Sequence, residues 1–169
     1  MSKQSRMDYI IWRLEKAEDP LSASLLAKEL GVSRQIVVGD IAILRAEGQE
    51  ILATSRGYLL PEDTENAVYK IACKHKSSQI LEELYAVVDC GASLLDVSVE
   101  HPLYGELVAN LQISNRIEAE EFVRQTEESK AAPLSQLTDE LHLHRIRCEK
   151  IETLEKLKEK LRELGILFE

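Results

Sequence analysis

Over the first fifty residues, apolar side chains return every three or four positions, the spacing of one face of an α-helix. Ile10, Leu14 and Ala17 set this period in SRMDYIIWRLEKAE, and Asp19-Pro20 ends it. In SASLLAKEL, Ser22 stands where an N-cap is needed, and Gly31 can take the left-handed turn at the end. VSRQIVVGDIAILRAEG restarts behind Ser33, predicts burial of Ile36, Val37, Ile41 and Leu44, and stops at Gly48. The link GVS is too short for anything but a sharp angle, so the second and third helices form a helix-turn-helix, with small Ala27 at their closest approach.

The period then changes. EILATSRGYLLP reads as two short strands around a turn at Gly57, a wing beside the helices. In a winged helix-turn-helix the first turn of the third helix enters the major groove. Arg34 and Gln35 occupy that turn, and both can pair bidentately with base edges, Arg with guanine and Gln with adenine. Ser33 can donate to a phosphate, and Arg56 at the wing tip can reach phosphate or the minor groove. The same three-helix module can also serve protein contacts alone.

Beyond residue 66, strand-like and helix-like patterns alternate. AVYKIACKH, SLLDVSVEH and LHLHRIRCE read as strands, and GILFE as a last short one. SSQILEELYAVVD reads as a helix capped by Ser77 or Ser78, and SNRIEAEEFVRQTEES as an amphipathic helix. IETLEKLKEKLREL is a third, with Ile151, Leu154, Leu157, Leu161 and Leu164 on one stripe. Several connections are too short for parallel crossovers, so the expected fold class is α+β, a mainly antiparallel sheet covered by helices.

Composition sharpens this picture. The net charge of −9 speaks against nucleic acid until its distribution is considered. Residues 1–60 hold eight basic and eight acidic groups, whereas residues 61–169 hold 13 basic and 22 acidic ones. That asymmetry predicts two domains with different tasks, the winged helix-turn-helix over 1–60 and a second domain over 61–169, joined in LLPEDTEN. Apolar residues make up 44 % of the chain, enough for packed cores. No apolar run approaches the roughly 18 residues of a membrane span, and the charged N-terminal stretch is no signal peptide. Three scattered cysteines, Cys73, Cys90 and Cys148, suit a reducing cytoplasm better than a disulfide framework.

Some polar residues do not fit a simple core. Glu83 lies at the edge of the apolar face formed by Ile80, Leu84, Val87 and Val88, where a carboxylate needs a partner. His75 closes the strand before that helix. His142 and His144 sit two apart in a strand, so they share a face, roughly 7 Å from each other. Three imidazoles and one carboxylate form a first shell for one divalent transition metal per chain: Zn, Ni, Co, Mn or Fe(II). An ordinary pair of surface histidines is the other reading of HLH. Cys148 shares the parity of His142 and His144, and Cys73 that of His75; each is either a soft ligand or a buried apolar thiol. His101 precedes Pro102 and the bend at Tyr104-Gly105, where it either faces a pocket with Tyr104 or forms a structural corner. Without a P-loop, a nucleophile elbow or a second carboxylate cluster, no catalytic residue is expected.

The runs LAKELGVSRQIVVGDIAILRAEG, ILATSRGYLLP, HKSSQILEELYAVVDCGASLLDVSVEHPLYGEL, PLSQLT and HLHRI resemble the niacin-responsive transcriptional repressors, which join a winged helix to a three-histidine regulatory domain. The resemblance spans nearly the whole chain, and DVSVEHPLYGEL is its most distinctive part. It implies a metal on His75, Glu83, His142 and His144, nicotinic acid as corepressor, and a homodimer on operator DNA. The repressed genes would serve NAD synthesis or niacin uptake. His101, Tyr104, Arg116 and Arg145 are the candidate ligand contacts. Where the family has glycine before its His-x-His run, this chain has Glu140 and Leu141. Two other classes stand beside this reading: a regulator that senses the metal itself, and a metal-dependent hydrolase with Glu83 or Glu140 as base. The C-terminal leucine stripe either packs on its own sheet or forms the dimer interface.

Overall fold

A computed structural model describes residues 2–61 and 67–169. The chain divides into two compact units, Met1–Thr64 and Glu65–Glu169. Most of the predicted junction LLPEDTEN, residues 62–66, lies outside the described residues.

The first unit holds α1 (Lys3–Lys16), α2 (Ala23–Leu30) and α3 (Arg34–Ala46), then β1 (Leu52–Thr54) and β2 (Gly57–Leu59). The helices start where hydroxyls stop the backbone amides from being orphaned. Ser22 Oγ accepts from the Leu25 amide, and Ser33 Oγ from the Ile36 amide. Gly31 turns α2 off in the left-handed region at φ 67°, and the Val32 amide closes back on the Ala27 carbonyl. Met7, Ile10 and Leu14 of α1, Leu26 and Ala27 of α2, and Val37, Ile41 and Leu44 of α3 make one core. The expected burial of Ile36 is not observed: it is 42 % exposed. Val37, Ile41 and Leu44 set the inward face, and Ile36 lies about 100° away around the helix. Beneath them, the Arg6 guanidinium pairs bidentately with the buried Asp40 carboxylate at 2.8 and 3.1 Å, tying α1 to α3.

β1 and β2 pair antiparallel, Leu52 to Leu59 and Thr54 to Gly57, which is the expected wing. The wing is fastened to the helices by a bridge between Leu21 and Tyr58, two backbone bonds of 2.8 Å. Gly57, at φ 141°, sits so close that a β-carbon there would stand 2.4 Å from the Leu21 carbonyl group. Gly57→Ala is therefore expected to destabilise the protein by more than about 1 kcal/mol. Thermal unfolding followed by circular dichroism checks this; an unchanged melting temperature would show that the bridge contributes nothing.

The second unit contains β3 (Ala67–Lys74), α4 (Ile80–Asp89), β4 (Ser93–His101), β5 (Gly105–Ile113), α5 (Arg116–Ser129), β6 (Leu141–Cys148) and α6 (Ile151–Glu163). Its four strands run antiparallel in the order β5-β4-β6-β3, and Leu167 adds a bridge to Cys73. This is the expected α+β architecture. β5 is the strand the pattern does not reveal. Ser77 and Ser78 do not cap α4; they lie in a short 3-10 turn before it, and no side chain caps the helix. One face of the sheet, with Ile71, Cys73, Leu94, Ile146 and Cys148, packs on Leu84 and Val87 of α4 and on Leu154, Leu157 and Leu161 of α6. The C-terminal leucine stripe is thus spent on its own unit. Its first member, Ile151, opens the helix and is 49 % exposed.

Candidate metal centre

The β3–β6 register sets Cys73 opposite His142 and Ile71 opposite His144. His142 and His144 therefore project from the core-facing side of β6, where Ile146 and Cys148 also point. His75 follows the end of β3. Glu83, in the first turn of α4, is buried against the sheet with Leu84 and Val87. The four groups meet in the interior, each no more than 6 % exposed. Glu83 Oε2 lies 2.8 Å from His75 Nε2, and Oε1 lies 3.2 Å from both His142 Nε2 and His144 Nε2. The His142 ring stands edge-on to both other imidazoles, with centroids 4.8 Å apart in each pair.

The outer nitrogens explain the orientation. His75 Nδ1 is 2.8 Å from the Lys76 carbonyl, His142 Nδ1 2.7 Å from that of Glu140, and His144 Nδ1 2.7 Å from that of Asp96. A carbonyl only accepts, so each Nδ1 carries its proton and donates it. Each Nε2 of a neutral ring then turns a lone pair inward. Three lone pairs converge on a carboxylate that also only accepts, and His75 Nε2 and His144 Nε2 are buried without a hydrogen-bond partner. Such a constellation is unfavourable unless positive charge enters it, as protons or as a metal cation. The electrostatics follow. Burial alone would raise the Glu83 carboxyl, but the three imidazoles outweigh it and hold it well below the usual 4.5. Burial alone would lower the His75 and His144 imidazoles, but Glu83 outweighs it and both lie above the usual 6.5. The donor set and the orphaned nitrogens suit a divalent transition ion.

Cys73 Sγ joins this neighbourhood. Ligand atoms of Cys73, Glu83 and His142 lie within 4.8 Å of one another. Burial first, then the Glu83 charge, push its thiol far above the ordinary range. It thus lines the site as a neutral thiol beside the four stronger donors. Cys148 belongs to the apolar core.

The remaining candidates are placed elsewhere. His101 Nδ1 accepts from the Leu103 and Tyr104 amides at 3.2 and 3.3 Å, and its ring lies 5.0 Å from that of Tyr104. This pair forms the corner between β4 and β5. Arg116 grips Asp89 bidentately at 2.8 and 2.6 Å and covers the Tyr85 ring. Arg145 alternates with His144 along β6, so its side chain leaves the opposite face, where it binds the Asp96 carboxylate. Among the described residues, no hydrogen bond or ion pair joins either guanidinium to His75, His142 or His144. Asp139 and Glu140 hold φ of 51° and 70°, the region glycine prefers, so the Glu140 carbonyl can still orient His142. The three carbonyls that set the tautomers have no sequence signal, because any residue supplies one.

In the first unit, Arg34 and Gln35 are exposed on the opening turn of α3, and Ser33 caps it. Arg56 is half-buried, with its guanidinium 3.9 Å from Asp19.

Comparison with known proteins agrees with this division. Residues 6–59 match an HTH domain and residues 68–169 a 3H domain. A probable transcription repressor NiaR of Thermotoga maritima is 41 % identical over 167 residues, covering 99 % of this chain and 95 % of that protein. The chain belongs to the 3H-domain family of transcription repressors. The transcription repressor NadR of Bacillus subtilis is 38 % identical over 168 residues, covering 97 % and 93 %. Membership makes this 3H protein a regulator with an HTH domain rather than an enzyme, and the hydrolase reading falls away.

Proposed function

We propose that this 3H protein represses transcription as a homodimer on operator DNA in the cytoplasm. His75, Glu83, His142 and His144 hold one divalent metal (Zn, Ni, Co, Mn or Fe), and nicotinic acid bound near it acts as corepressor. The controlled genes serve NAD synthesis or niacin uptake. The observation that carries the metal is the buried convergence of three Nε2 lone pairs on one carboxylate. When bound, the ion supplies the positive charge that these acceptors lack and a Lewis-acidic position for a small carboxylate or a pyridine nitrogen. The protein's own part is to orient and bury: the Lys76, Glu140 and Asp96 carbonyls fix each ring, and all four donors lie in the interior. The effector acts only by favouring the dimer geometry that sets two recognition helices about 34 Å apart, one turn of DNA.

Calorimetry tests this. Nicotinic acid titrated into the metal-loaded protein should give saturable heat, and His142→Ala with His144→Ala should abolish it. Operator affinity should rise on adding nicotinic acid; unchanged affinity would sink the corepressor reading. Burial of all four donors favours one other reading, a closed site that senses the metal itself. In cobalt-loaded protein, an absorption spectrum that nicotinic acid leaves fixed, with chelation abolishing operator binding, selects that alternative.

A further inference from the structure

Gly39 lies in the middle of α3, and nothing in the fold asks for a glycine there. Its φ is that of an ordinary helix, since it is absent from the left-handed residues. A β-carbon placed on it would meet no atom within 4 Å beyond its own helical neighbourhood. It is exposed, whereas its neighbours Val37 and Asp40 are buried. Glycine in a helix interior destabilises relative to alanine, because it loses more backbone freedom on folding and covers its own hydrogen bonds less well. The first unit thus gives up stability here with no return inside the protein.

The surrounding face shows where the return lies. Gly39 is one helical turn beyond Gln35 and one turn before Ala42, all exposed. Long polar side chains, Arg34 and Gln35, stand at the start of α3. Small ones follow on the same side, Gly39 and Ala42, flanked by Val38 at 37 % exposure. A helix laid in the major groove uses its first turn to reach base edges and needs little bulk where its cylinder comes nearest the groove floor. We infer that Gly39 is the point of closest approach between α3 and duplex DNA, a residue that determines operator affinity by lacking a side chain. The inference rests on the operator-binding reading of the first unit.

The test sets stability against binding. A duplex is first selected by the full-length wild-type protein from a randomised pool. Gly39→Ala should then raise the melting temperature, by about 2–5 °C, and weaken binding to that duplex by roughly tenfold or more. A raised melting temperature with unchanged or tighter binding overturns the inference. So does a lowered melting temperature, which would mean that the fold itself requires glycine. Failure of the wild type to enrich any duplex removes the DNA reading itself, and is thereby distinguished from failure at Gly39.

Discussion

Glu83→Gln is expected to cut metal affinity at least about 100-fold, a larger loss than from removing an outer hydrogen-bond partner, and to remove the alkaline loss of stability of the metal-free protein. Glutamine keeps the volume and one oxygen but not the charge. In the metal-free wild type, Glu83 is what holds His75 and His144 above their ordinary 6.5. A group with a raised folded-state pKa contributes stability that is fully present below its ordinary value and lost as pH rises through the raised one. Glu83 is the opposite case: its stability is present above 4.5 and lost as pH falls below it. The metal-free wild type is thus most stable in between, and its melting temperature should fall as pH is raised from 6 to 9. A bound divalent ion replaces those protons, so the loaded protein gains stability relative to the metal-free one over the same range. Melting curves of chelated and zinc-loaded protein across this range decide the matter. Curves that coincide would mean that His75, Glu83, His142 and His144 form only a protonated buried network. In Glu83→Gln the alkaline decline of the metal-free protein should disappear.

Much of this centre was legible from the chain. His142 and His144 share strand parity, and Glu83 sits where an apolar helix face has no reason for a carboxylate. The same parity rule, applied to LHLHRI, places Arg145 on the opposite face from His144, beside Asp96. Arg116 could not be judged that way, because its partner Asp89 lies 27 residues away across a helix pair. β5 escaped for a physical reason: ELVANLQI pairs with β4 but buries fully only Leu111 and Ile113, so its alternation is faint. The helix-turn-helix was the clearest part, since Ser22, Gly31 and Ser33 mark ends that local chemistry alone determines. Ile36 shows the limit of counting apolar residues, because a helix three residues in has one inward face and Val37 occupies it.

Substituting both Arg34 and Gln35 by alanine is expected to weaken binding to the selected duplex by at least about 30-fold, since each bidentate base contact contributes about 1–3 kcal/mol. The fold should not change. Both side chains are exposed, and neither makes a hydrogen bond or ion pair among the described residues. Ser33 is a less informative target, because its hydroxyl also caps α3 and its loss would mix stability with binding. Arg56 is less informative too, being half-buried near Asp19. Fluorescence anisotropy on the selected duplex and on a scrambled one separates base reading from phosphate contact. If Arg34 and Gln35 read bases, the double variant loses affinity mainly for the selected duplex, and its preference for that duplex collapses toward unity. If they sit on phosphates, affinity falls equally for both duplexes and the preference survives. With eight basic groups offset by eight acidic ones in residues 1–60, sequence-independent attraction is modest in this protein. Base contacts are therefore expected to contribute substantially to operator affinity, so the first outcome is the one expected.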